Sequence, residues 1–102
     1  MLQQELVSYL NDYLQVSLFN DPSLNGLQVE GFKECTKIAT ACTASLEAID
    51  AAIEEGVDTL IVHHGLFWKG ALTPVIGPYK DRLNAILESN INLLAYHLPL
   101  DA

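Results

Sequence analysis

Asp58-Thr59-Leu60-Ile61-Val62-His63-His64-Gly65 is the stretch on which the reading of this chain turns. An apolar run, Leu60-Ile61-Val62, leads straight into adjacent histidines and a glycine. Such a run reads as a buried strand, and a glycine just past its end allows the backbone to turn sharply. Both imidazoles then stand where a strand finishes, which in open α/β sheets is where ligands bind. Farther on, Ile91-Asn92-Leu93-Leu94-Ala95-Tyr96-His97 repeats the pattern, and Asp101 follows within the same segment. His63, His64, His97 and Asp101 together look like half of a metal site.

Upstream of that stretch, Lys37 to Cys42 reads as a small-residue strand, and Thr43 or Ser45 is placed to cap the helix after it. Leu46, Ile49, Ala52 and Ile53 mark its inner face, and Gly56 ends it as a C′ residue. Downstream, Gly65 to Gly77 is a long connection carrying Phe67 and Trp68, and ordered connections of that length are often functional. Pro78 suits the first turn of another helix, with Tyr79, Leu83, Ile86 and Leu87 on one face and Asn90 as its stop. Ile91 to Tyr96 is the next strand. At the start of the chain, Leu2, Leu6, Tyr9, Leu10, Tyr13 and Leu14 form a helical stripe whose aromatic members are expected in the core. Asp21-Pro22 and Asn25-Gly26 are turn signals ahead of a short strand at Leu27-Gln28-Val29. The order is α-β-β-α-β-α-β over a single domain, 1–102, with three strands parallel. The expected fold is a layered α/β domain with a mostly parallel sheet flanked by helices.

Half of the 102 residues are hydrophobic, and the mean hydropathy is +0.22. Either the core is large for the chain's size, or apolar surface is buried against a missing domain or a second copy. A net charge of −8 with five basic residues argues against nucleic acid and anionic membrane as partners, because both need Lys/Arg patches. Cys35 and Cys42 have no CxxC spacing; Cys42 falls in an apolar strand and reads as a small core residue. The opening Met1 to Leu14 lacks the basic and long apolar regions of a signal peptide. No apolar run approaches the ~20 residues of a membrane-spanning helix. The cytoplasm is the expected compartment.

Consecutive β-α-β crossovers put the carboxyl ends of parallel strands on one rim, so His63, His64, His97 and Asp101 should meet there. Neighbouring strand residues point to opposite faces, so the strand is expected to break for both His63 and His64 to serve one site. Imidazole and carboxylate suit Zn, Mn, Fe or Ni without choosing among them. Adjacent histidines serve two ions ~3.5–4 Å apart more easily than one. The plain alternative is that each is an ordinary hydrogen-bonded side chain. His97 reads equally as a group that orients a true ligand, and Asp101 as an N-cap.

Three blocks, Asn25 to Gly31 (NGLQVEG), Leu60 to Gly70 (LIVHHGLFWKG) and Ile91 to Ala102 (INLLAYHLPLDA), resemble the NIF-three-like dinuclear metal-centre proteins, also known as GTP cyclohydrolase 1 type 2 homologues. The resemblance implies that His63 and His64 each contact one of two divalent metal ions. It implies that Asp101 is also a ligand and that His97 lines the same site. It further implies a toroidal homo-hexamer with the metal sites facing an internal cavity. The family pattern adds a histidine and a bridging glutamate from a GHxxxE-like segment, which this sequence lacks. The chain therefore reads as the N-terminal portion of such a protein, its ions weakly held without that carboxylate. The function implied is a metal-dependent hydrolase of nucleotide-like or phosphorylated substrates. The alternatives are a non-catalytic metal-binding oligomerisation or interaction module, and an inactive truncated fragment.

Overall fold

The apolar runs of the sequence become the inner strands of a sheet. The computed structural model describes residues 1–101; Ala102, the last residue of the third block, lies outside them. Its strands are β1 (Gly26–Val29), β2 (Ile38–Thr43), β3 (Thr59–His64) and β4 (Asn92–Ala95), in the spatial order β1-β4-β3-β2. β2, β3 and β4 run parallel, and β1 joins β4 antiparallel. Helices α1 (Gln3–Tyr13), α2 (Leu46–Glu54) and α3 (Gly77–Ser89) complete the expected order, with a 3-10 turn at Val16–Leu18 and a short helix α4 (Leu98–Asp101) as additions.

Local chemistry sets the helix ends as expected. The Ser45 side chain accepts the Ala48 N–H at 3.1 Å, Pro78 sits in the first turn of α3, and Asn90 ends α3 at φ 59°. Across the parallel strands the register aligns Ala39 with Leu60 and Leu93, and Ala41 with Val62 and Ala95. That face packs on Ile49 and Ala52 of α2 and on Ile86 of α3, forming the main core. β4 is buried along its whole length. Fully burying a leucine or valine contributes roughly 1.5–3 kcal/mol, so this face dominates the stability.

The opposite face is covered only in part. α1 lies over β1 and β4, where Gln3 Nε2 donates to Asn92 Oδ1 at 3.3 Å and Tyr96 Oη donates to Asn11 Oδ1 at 2.8 Å. The helix thus buries Gln3 and Leu6, while Tyr9 and Tyr13 are 59% and 71% exposed and stack on each other at 5.9 Å. The expected core role of these tyrosines is overturned because a polar pair, Gln3 with Asn92, fixes which side of α1 meets the sheet. Cys42 is also exposed, and Cys35 is the buried cysteine. Cys42 lies on edge strand β2 beside Ala41, whose register partners belong to the face packed on α2, and alternation turns Cys42 to the side that α1 leaves open. Leu46, Ile53 and Leu87 likewise sit at the exposed margins of their helices.

Asp58 ties the strand starts together. Its Oδ2 accepts from Thr36 N at 2.8 Å, Thr36 Oγ1 at 2.9 Å and Lys37 N at 3.0 Å, and its Oδ1 accepts from Thr59 Oγ1 at 2.9 Å. Burial raises its pKa, but these hydrogen bonds outweigh burial and hold the carboxyl below its ordinary value of 3.8. Because the folded pKa is depressed, the stabilisation is complete above the ordinary value and is lost as pH falls through the folded one. Asp58→Ala should cost about 1.5–3 kcal/mol in urea unfolding at neutral pH, the range for hydrogen bonds to a charged group. Asp58→Asn should flatten the fall of stability below about pH 4 relative to wild type.

Candidate metal centre

β3 and β4 end on the same rim because they are parallel. Ala95 of β4 pairs with Val62, so His63 and His64 extend past the last paired residue of β4. The ladder with β2 nonetheless continues to Thr43 and His64, so the strand does not break between the histidines as expected. Both rings instead gather over the end of the shorter strand, with centroids 4.3 Å apart. After Tyr96, the chain turns through His97 into α4. The His97 ring stacks on His63 at 4.8 Å and lies 5.3 Å from His64.

His63, His64 and His97 each offer a ligand atom, and these atoms lie within 4.8 Å of one another. Asp101 belongs to the same rim, with its Oδ1 3.6 Å from His63 Nε2 and its side chain 59% exposed. It lies in α4 and not at a strand end. All four sequence-selected residues are therefore brought together.

The ring nitrogens facing away from the cluster are engaged. His63 Nδ1 lies 3.1 Å from the Tyr96 carbonyl, and His97 Nδ1 lies 3.1 Å from Asp21 Oδ1. A carbonyl and a carboxylate accept and cannot donate, so in the neutral imidazole each Nδ1 carries the proton and Nε2 keeps its lone pair. His64 Nδ1 has a longer contact, 3.4 Å, with Thr43 Oγ1. This donor set fits a divalent cation: grouped imidazoles, free Nε2 lone pairs on His63 and His97, a nearby carboxylate, and oxygen partners at the Nδ1 atoms.

Sequence reasoning read Asp21 only as a turn residue. Asp21 is 1% exposed, and burial raises its pKa. Hydrogen bonds from Ser23 N, Leu98 N, Asn25 and His97 outweigh that and hold it well below the usual carboxylate range. An Asp-Pro followed two residues later by a Ser N–H donor marks an Asx turn, the one local signal available. Gln28, at first sight an ordinary strand residue, also supports the site. Its Oε1 accepts from Leu66 N at 2.8 Å and Phe67 N at 3.3 Å, and its Nε2 donates to Phe67 O at 3.2 Å. It thereby fixes the chain just after the histidines. The Trp68 and His97 rings meet nearly at right angles, with centroids 5.5 Å apart and planes at 79°.

A layered α/β sheet with three histidines and an aspartate gathered at one rim defines an α/β protein with a candidate metal centre. The family described as Duf34/NIF3 (NGG1p interacting factor 3) matches residues 1–102, and the chain belongs to it. A Neisseria meningitidis serogroup A protein named GTP cyclohydrolase 1 type 2 homolog is 49% identical over 102 residues, covering 100% of this chain and 41% of that protein. Among solved structures, TTHA1606 from Thermus thermophilus is 51% identical at a TM-score of 0.95, covering 100% of this chain and 42% of that one. Reduced HcgD from Methanocaldococcus jannaschii is 30% identical at a TM-score of 0.87, with coverages of 99% and 41%. The chain thus spans about two-fifths of the length of these relatives.

Gly65 is small for a packing reason. Its φ is not positive; a Cβ there would meet the Ala95 Cβ at 2.8 Å and press closer still on the Gln28 amide. Gly65→Ala should therefore destabilise the chain by about 1–3 kcal/mol, as overpacking does. In a thermal or urea unfolding series, Gln28→Ala combined with Gly65→Ala should lose less than the sum of the single changes.

Proposed function

We propose that residues 1–102 are the N-terminal domain of a metal-dependent hydrolase of nucleotide-like or phosphorylated substrates, and that they supply half of its dinuclear centre. The observation that carries this reading is the convergence of His63, His64 and His97 beside Asp101, with the Nδ1 atoms of His63 and His97 committed to oxygen acceptors. His63, His64, His97 and Asp101 would hold two divalent ions, drawn from Zn, Mn, Fe or Ni. Such ions, when bound, lower the pKa of a coordinated water toward about 7 and so supply a nucleophile. The ligand set is completed by the portion of the full protein that the relatives' greater length represents.

A groove linked to the centre through Trp68, whose ring meets His97, suits the organic part of a substrate. It has a volume of about 530 Å³ and is walled by Phe67, Trp68, Tyr79 and Leu83. That size lies within the roughly 300–1,000 Å³ of small-molecule sites, and flat aromatic walls favour a planar ring. The relatives' name, GTP cyclohydrolase 1 type 2 homolog, agrees with a nucleotide-like substrate. Exposed apolar residues, Ile38 on β2 and Leu72 and Ile76 on the long connection, suit burial against the rest of the full protein or against other copies in a toroidal homo-hexamer. No helix among the described residues is long and apolar enough to cross a membrane.

Two measurements on the full-length protein test this. His63→Ala or His64→Ala should reduce metal affinity by at least the roughly 10–100-fold that losing a supporting partner alone costs, read by elemental analysis and competitive chelation. Unchanged metal stoichiometry in both variants removes the proposal. Chelation should abolish turnover of a nucleoside triphosphate or phosphomonoester panel, and re-addition of metal should restore it. A chelator that changes only the size-exclusion profile, with no substrate consumed by the loaded protein, favours a non-catalytic assembly role.

A further inference from the structure

We propose that Asp21 is the positioning residue of the metal centre, a buried carboxylate that fixes the tautomer of His97 and the start of the helical turn carrying Asp101. The proposal rests on the metal-centre reading above. Each Asp21 oxygen takes two donors. Oδ1 accepts from Ser23 N at 2.9 Å and lies 3.1 Å from His97 Nδ1. Oδ2 accepts from Leu98 N at 2.7 Å and Asn25 Nδ2 at 3.1 Å. Two of these donors belong to its own loop and hold the carboxylate still. The other two belong to the rim, 76 and 77 residues away in sequence.

The loop itself is strapped to the segment that follows the adjacent histidines. Lys69 N donates to Pro22 O at 2.6 Å and Leu24 N donates to Phe67 O at 3.4 Å, around a bridge between Ser23 and Trp68. Asn25 Oδ1 adds a bond from His97 N at 2.8 Å. Asp21 therefore joins three segments: its own loop, the connection after His64, and the turn from His97 to Asp101. An acceptor-only partner on Nδ1 leaves Nε2 as the ligating nitrogen and raises its basicity. An amide of the same shape cannot do this for all four donors, because its nitrogen donates and does not accept.

The test uses Asp21→Asn in the full chain, with Zn²⁺ alone as probe. In the metal-free wild type, imidazole ¹⁵N NMR should show His97 protonated at Nδ1 and bare at Nε2. In Asp21→Asn that pattern should average or switch for His97 while His63, held by the Tyr96 carbonyl, keeps its own. Zn²⁺ affinity should fall roughly 10–100-fold. A folded Asp21→Asn with the wild-type His97 pattern, or with affinity within a factor of two, overturns the proposal. So does an Nε2-protonated His97 in the wild type, a measurement that needs no variant to fold. Failure of Asp21→Asn while His63→Ala abolishes Zn²⁺ binding sinks the role of Asp21 alone. A wild type that binds no Zn²⁺, Mn²⁺, Fe²⁺ or Ni²⁺ sinks the metal-centre reading and this inference with it.

Discussion

The parallel ladder between β3 and β4 is the constraint from which the site follows. Parallel strands bring their carboxyl ends to one edge, so the end of β3 and the turn after β4 become neighbours although about thirty residues separate them. The ladder closes with the Tyr96 N–H donating to the Val62 carbonyl at 2.9 Å. From that point the two chains diverge, one toward Gly65 and the other into α4. The imidazoles occupy the wedge between them. Backbone pairing brings the three rings to this place, and the polar partners behind His63 and His97 set their tautomers.

Around that wedge the polar groups form a supporting layer. Acceptors stand behind His63 and His97, and a weaker hydroxyl contact stands behind His64. Gln28 spends both ends of its amide on the backbone at Leu24, Leu66 and Phe67. Asn92 plays a similar part at the far end of β4, accepting from Gly31 N at 2.7 Å and donating to Phe32 O at 2.8 Å. Buried amides and carboxylates stay only where their hydrogen bonds are met, and meeting them at both ends of β4 specifies where the flanking loops lie.

The same architecture persists among relatives that differ widely in sequence. TTHA1606 shares 51% identity and HcgD 30%, yet the TM-scores are 0.95 and 0.87. A layered sheet tolerates such drift because it depends on register and apolar burial, which many sequences satisfy. The relatives extend well beyond the aligned portion, which covers 41% of the Neisseria protein.

By itself the sequence determined the element order, the parallel core and the rim that carries His63, His64, His97 and Asp101. Periodicity, caps and turn residues are local, and the crossover rule converts them into topology. Only the tertiary structure decided that Tyr9, Tyr13 and Cys42 face outward, that Gly65 is small to clear Gln28 and Ala95, and that Asp101 sits on a helical turn. Asp21 belongs with these, since its pairing with His97 spans 76 residues and leaves no pattern in either neighbourhood. An apolar stripe shows which side of an element can be buried. Which side is buried, and which polar groups are enclosed with it, depends on neighbours that arrive from elsewhere in the chain.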